Sequence, residues 1–383
     1  MTSARENNET LLFTRVDKNT KSLPVSFEDW VQKAKDILAD GPFDYIVGGA
    51  GAEETLAANV KAFSRWAIVP RMMRDVSKRS VQITLFDEQL RAPVLLAPVG
   101  MQAIAHPDGE LATAKAAAAA GVPLIVSTVS SYSLEQIAQS MGEAPRWFQL
   151  YWSNDREVSA SMVNRAEAAG YSAIVLTVDT IMQGWKRRDL RNGYSPLREG
   201  KGLANYIQDP VFCSRLSEVT PEKAVEEIFR SIYHPALNWA DIAFLRKHTR
   251  LPILLKGILH PEDAKLALEH GVDGIIVSNH GGRQLDGAIS ALDALPRIAE
   301  VVTGRIPVLL DSGVRTGSDV VKAIALGANA VLIGRPFMLG LAVAGEQGVA
   351  SVLDTVLGEL DVSMALSGSN TIADLDQRIL TRV

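Results

Sequence analysis

The chain has 383 residues, 47% of them hydrophobic and 22% charged, enough apolar material for one large folded domain or two ordinary ones. A net charge of −5 gives no electrostatic reason to expect nucleic acid or an anionic membrane as partner. Cys213 is the only cysteine, which excludes an intramolecular disulfide and a cysteine-based metal cage and suits a reducing compartment.

The first residues, MTSARENNET, lack the basic-then-apolar pattern of a secretory signal. No run approaches the roughly 20 apolar residues that span a bilayer, so the expected location is the cytoplasm. Residues 1–90 read as a helical extension. Within it SFEDWVQKAKDIL (26–38) is a helix capped by Ser26, with Asp29 three residues on, and PFDYIVGGAGAEETLAANVKAF (42–63) is a helical region broken by glycines. GGAGAE (48–53) is not a dinucleotide fingerprint: Gly49 and Gly51 are followed by Glu54 where a third glycine is required, and no suitable strand precedes. NAD is therefore not indicated.

Eight short apolar runs follow: 93–98, 122–128, 147–152, 172–179, 251–257, 274–281, 307–313 and 330–336. They do not alternate, as expected of strands covered on both faces in a parallel sheet. Helical patterns separate them. One is Ala-rich and stops at Gly121, one begins at Ser133, and one carries the stripe Val158, Met162, Ala166. Two more start at Pro261 and near Thr316. The repeat predicts a (β/α)₈ barrel over 91–345, followed by C-terminal helices over 346–383, in one domain spanning 1–383. A doubly wound sheet is the alternative, but eight uninterrupted units favour closure. Residues 180–250 are too many for a βα loop and predict a helix plus a lid or insertion.

Barrel enzymes carry their chemistry at the C-terminal ends of the strands. In strand order these ends hold Pro98, Val99 and Gly100; Ser127; Gln149 and Tyr151; Thr177 and Asp179; Lys256; Ser278 and His280; Asp311, Ser312, Gly313 and Arg315; Gly334 and Arg335. Any one of them reads equally well as a strand-end hydrogen bond, but a Lys, a His and two Arg converging on one face do not. The Gly- and Arg-bearing turns after the last two strands suit a phosphate, or are simply tight turns. SNHGGRQLDG (278–287) places His280 and Arg283 two glycines apart. The glycines let the chain turn and let a flat ligand lie close. A base beside a guanidinium suits a 2-hydroxy acid: Arg283 grips the carboxylate and His280 takes the hydroxyl proton. The remaining histidines (106, 234, 248, 260, 270) follow no strand and give no metal-ligand spacing.

SNHGGRQLDG, FDYIVGGAG, APVGMQAIAHPDGE, WFQLYW, TVDT, LKGI, DSGVRTGSDVVKAIALGA and IGRP together resemble the FMN-dependent L-2-hydroxy acid oxidases and dehydrogenases, over nearly the whole chain. The resemblance implies bound FMN, a small 2-hydroxy acid substrate, O2 as acceptor, and a homotetramer or larger homo-oligomer. It implies that Tyr45 and Tyr151 contact the substrate, that the backbone of Pro98, Val99 and Gly100 lies against the flavin, and that Ser127, Gln149 and Thr177 hold the ring system. Lys256 would stabilise the anionic reduced flavin, Asp179 would orient His280, and Asp311, Gly313, Arg315, Gly334 and Arg335 would bind ribityl and phosphate, with Ser278 and Ser312 among the cofactor contacts. The family usually carries a second carboxylate-binding Arg where this chain has Lys186, in GWKRRDL (184–190). Lys186 is a substrate-binding candidate that keeps the positive charge but loses the planar fork; alternatively Arg187 or Arg188 substitutes for it or the contact is weaker, and Arg188 equally suits a structural ion pair. Gly184–Trp185, NYIQDPVF (205–212) and Gly100 resemble the lactate 2-monooxygenases within that family, whereas QLDG has the ordinary oxidase form. L-Lactate is the leading substrate, with pyruvate and peroxide, or acetate, CO2 and water, as the alternative products. Glycolate- or mandelate-type acids and a quinone-linked dehydrogenase remain as alternatives.

Overall fold

The computed structural model describes residues 23–383. Residues 1–22 of the expected helical extension lie outside the described residues; from Phe27 to Ser64 the chain forms helices Phe27–Ile37, Asp40–Val47 and Glu54–Ser64. Ser26 caps the first by accepting from Asp29 N at 3.1 Å. The rest of that segment departs from the helical expectation. Strand β1 (Trp66–Ile68) comes next, and then a hairpin of β2 (Ile83–Leu85) and β3 (Glu88–Leu90). Leu85, Phe86 and Leu90 pack against the interior of the barrel that follows, so the hairpin closes one of its ends.

The barrel comprises β4 (Val94–Leu96), β5 (Leu124–Ser127), β6 (Arg146–Tyr151), β7 (Ile174–Thr177), β8 (Ile253–Ile258), β9 (Gly274–Val277), β10 (Val308–Leu310) and β11 (Ala330–Ile333). Neighbouring strands are parallel in chain order, and β11 pairs with β4 to close the ring. Helices cover the outside and start where the sequence signals lie. Ser133 and Thr316 form capping boxes with Gln136 and Asp319, and Pro261 opens helix Pro261–Glu269. The last long helix, Arg335–Ser367, begins inside the segment read as barrel and kinks at Ala344–Gly345. Beyond it the chain is not wholly helical: β12 (Leu380–Arg382) returns to pair antiparallel with β1. Among the described residues no helix is long and apolar enough to cross a membrane.

The strands bury apolar side chains on both faces, and the inward set is what positions the site. Leu95, Ile125, Trp147, Val175, Leu254, Ile276, Leu309 and Leu332 fill the barrel interior. Strand side chains repeat every two residues. Two positions further on, the same inward face therefore carries Ala97, Ser127, Gln149, Thr177, Lys256, Ser278, Asp311 and Gly334. One strand face changes from oil to chemistry in a single step.

Candidate active site

At this rim a cavity of about 150 Å³ opens, lined by Pro98, Val99, Gly100, Lys256, Asp311, Ser312, Gly313, Arg315, Gly334 and Arg335. Tyr45, Tyr151, His280 and Arg283 border both it and a second cavity of about 120 Å³. Lys186 lines the second. The remaining residues singled out in the sequence stand just behind the wall. Ser127 donates to Gln149 Oε1 at 3.1 Å, and Gln149 Nε2 donates to Thr177 Oγ1 at 3.0 Å, a buried chain crossing three strand ends. Ser278 Oγ accepts from Lys256 Nζ at 2.9 Å and from His280 N at 3.0 Å, so its hydroxyl fixes two neighbours rather than facing the cavity.

The turn after β9 holds three successive left-handed residues, His280 (φ 58°), Gly281 (φ 65°) and Gly282 (φ 75°). For a histidine that conformation costs about 1–3 kcal/mol and needs support from its surroundings. Gly281 N donates to Ser312 Oγ at 2.9 Å, and Gly282 N to Asn279 Oδ1 at 3.1 Å. The glycines let the chain turn sharply, as the sequence suggested, and neighbouring groups pack closely against them. A Cβ on Gly281 would meet Arg335 Nη1 at 2.6 Å, and one on Gly282 would meet Leu56 N at 2.6 Å. What they admit is the arginine and the N-terminal helix Glu54–Ser64.

His280 Nδ1 lies 2.9 Å from Asp179 Oδ1. That contact assigns the proton to Nδ1 and leaves Nε2 as the free lone pair, 3.5 Å from the Tyr151 hydroxyl. Burial pulls the imidazole below its ordinary value in spite of Asp179, which keeps it in the basic form. Burial works against the Asp179 charge, but His280 and Lys256 outweigh it, and the carboxyl stays below its usual range. Lys256 Nζ is 3.0 Å from Asp311 Oδ2, and this pairing overcomes burial and keeps the ammonium charged.

The arginines are bound differently. Arg283 Nη1 donates to the carbonyls of Tyr45 and, at 3.0 Å, of Gly48. Arg335 reaches Ile46 O at 3.1 Å, Gly48 O at 2.7 Å and Gly281 O at 2.9 Å. Both therefore sit on the carbonyl end of helix Asp40–Val47, where unpaired C=O groups and the helix dipole favour cations. Arg188 does not face the cavity. It binds Glu53 through two nitrogens, at 2.7 and 2.6 Å, and Asp44 at 3.0 Å, the structural ion pair named as one of its readings. Arg187 is exposed.

Three comparisons fit this geometry. The family model described as FMN-dependent dehydrogenase matches residues 34–382. An L-lactate oxidase of Lysinibacillus sphaericus is 52% identical over 352 residues, covering 92% of this chain and 91% of its own. The 2-hydroxyacid oxidase 1 of Mus musculus is 42% identical, covering 94% and 96%. A crystal structure of mandelate oxidase superposes with a TM-score of 0.85 at 42% identity, covering 94% of this chain and 99% of that one. The chain belongs to the FMN-dependent dehydrogenase family. Its cofactor is FMN, and its reaction class is FMN-dependent oxidation of a 2-hydroxy acid.

The larger cavity suits that cofactor on its own evidence. Arg315 Nε is buried with no hydrogen-bond partner, and burial pulls its guanidinium down to about 10. Arg335 is pushed down further by burial and by Arg283 and Arg315. A buried excess of cations held only by carbonyls is completed by an anion such as a phosphate. Chain position alone did not reveal several residues. Asn205, in the long connection, donates to Ser127 O and Thr128 O and so ties the connection to the rim. Asp189, Tyr194, Phe229 and Tyr233 line the second cavity, and no strand precedes any of them to mark it.

Proposed function

We propose that this enzyme oxidises L-lactate to pyruvate with O2 as the final acceptor. The observation that carries the proposal is the His280–Asp179 contact at 2.9 Å, which leaves Nε2 facing a cavity wall shared with Arg283 and Tyr151. Arg283 and Lys186, with the Tyr45 hydroxyl, hold the substrate carboxylate. His280 Nε2 takes the hydroxyl proton, and Asp179 stabilises the imidazolium that forms. FMN, when bound, accepts the C2 hydrogen with its two electrons. The backbone of Pro98, Val99 and Gly100 and the buried chain Ser127–Gln149–Thr177 position its ring, Lys256 supplies a fixed positive charge beside it, and Arg315 and Arg335 with the turns at Asp311–Gly313 and Gly334 hold its phosphate arm.

A larger 2-hydroxy acid is a second reading, favoured by the adjoining cavity, whose wall includes the apolar and aromatic side chains Leu197, Phe229 and Tyr233. The test is anaerobic bleaching of the yellow holoenzyme by L-lactate, glycolate and L-mandelate in parallel, followed in air by assays for peroxide, pyruvate and acetate. Fastest reduction by L-lactate with pyruvate as product supports the proposal, and acetate in place of peroxide assigns the monooxygenase outcome. Faster reduction by mandelate replaces it with the second reading, and no bleaching by any of the three overturns both.

A further inference from the structure

Lys186 stands where the sequence departs from its family, and its surroundings differ from those of an ordinary lysine. It is half-buried at the N-cap of helix Arg187–Asn192, lines the second cavity, and has its Nζ 5.6 Å from the centre of the Tyr45 ring. Arg283 lies on the same ring, its Cζ at 4.6 Å. Two neighbouring cations are bound by carboxylates: Arg188 by Glu53 and Asp44, and Arg191 by Asp44. Lys186 meets an aromatic ring and a second cation instead.

We propose that Lys186 is a proton-gated specificity contact: the substrate carboxylate binds together with one proton taken up by Lys186 whenever that amine stands neutral. The proposal rests on the carboxylate position given above. An arginine at this place stays charged at every physiological pH, whereas a lysine is readily neutralised. Burial and the nearby Arg283 charge bring this ammonium down to about 7, while Asp189 on its own helix pulls the other way. The other groups facing it do not compete in that range. Burial raises Tyr151 and Tyr194, raises Tyr233 to about 12, and lowers His280. A carboxylate arriving between Lys186 and Arg283 offsets their repulsion and favours the ammonium, so anion and proton bind as a pair. Below neutral pH the proton is already present. Above it, affinity for the anion falls by about tenfold per pH unit, as mass action requires for one linked proton.

The probe is oxalate, a carboxylate with no C2 hydrogen to lose, titrated calorimetrically into the holoenzyme at pH 8.5 in two buffers of different ionisation heat. The parent should take up about one more proton per oxalate than Lys186→Arg, and its oxalate affinity should fall steeply from pH 7.5 to 8.5 while that of the variant stays flat. Lys186→Met serves if the arginine variant does not fold: it should bind weakly, with the same flat profile. Equal proton uptake in parent and variants assigns the proton to His280 or elsewhere and overturns the proposal. Bleaching by 2-hydroxy acids tests the reaction independently, so a failure of gating with bleaching intact leaves the reaction standing.

Discussion

Two halves of the site are built on different principles. At the inner strand ends two buried contacts are already made: Lys256 pairs with Asp311 at 3.0 Å, and His280 meets Asp179 at 2.9 Å. Where the site faces the N-terminal helices and the long connection its cations lack counterions: Arg283 is held by carbonyls and Lys186 by an aromatic ring. In the close-packed ring an unpaired charge is costly, and Lys256 and Asp311, from β8 and β10, meet across the inner face. Connections border water and can keep unmatched cations that a bound anion completes. The first half is therefore preorganised for proton and charge transfer, and the second is set to respond to ligand.

Substitutions on the strand side should have the largest effects. His280→Gln should retain FMN and slow anaerobic flavin reduction by about 10² to 10⁴, the usual cost of losing a general base. Reduction at the parent rate would remove His280 from that role. The pH profile has a defined sign: the imidazole must be neutral to accept a proton, and burial holds it below its ordinary value. At saturating substrate, flavin reduction should therefore be lost as pH falls below that value, and a rate that instead falls on passing from pH 5 to 6.5 would contradict the assignment. Lys256→Met leaves Asp311 buried beside the barrel core without its counterion, at a cost of about 3–5 kcal/mol. Urea unfolding of the FMN-free protein should show a clearly lower midpoint at unchanged slope, and an unshifted midpoint would mean that the pair adds nothing to stability.

The same contrast explains what the sequence made legible. The barrel could be read because eight apolar runs end in polar residues, and the two-residue repeat places Lys256 over Leu254 and Asp311 over Leu309 on one inward face. Helix starts could be read at Ser133, Pro261 and Thr316 because caps are local chemistry. The hairpin that closes the barrel could not. Its turn residues Phe86 and Asp87 both have positive φ, 50° and 62°, without the glycine or asparagine that usually announces such a turn. The pairing of β1 with β12 joins three-residue strands more than 300 positions apart, far beyond any local pattern. The lining of the second cavity was hidden for a related reason: Asp189, Tyr194 and Tyr233 are placed by tertiary contacts of the connection, not by periodicity. The close approach of Arg335 and Leu56 to Gly281 and Gly282 could not be read, because both are remote in sequence.

The smallest effects separate the two halves most finely. Arg188 touches no cavity, yet it joins the connection to Glu53 and to Asp44, the neighbour of Tyr45. Its side chain is 35% exposed, so solvent screens the pairs, and their loss is worth about 1 kcal/mol. Arg188→Ala should therefore raise KM about fivefold through a displaced Tyr45 while kcat holds, since the His280–Asp179 pair lies on strand ends that Arg188 does not contact. A fall in kcat with KM unchanged would break the division into two halves. Arg187, one residue away and exposed, should matter least: Arg187→Ala should change kcat/KM by less than about twofold. If it instead weakens substrate binding as much as Lys186→Met does, the connection turns on closing and carries Arg187 inward. The carboxylate contact would then belong one residue further along the chain.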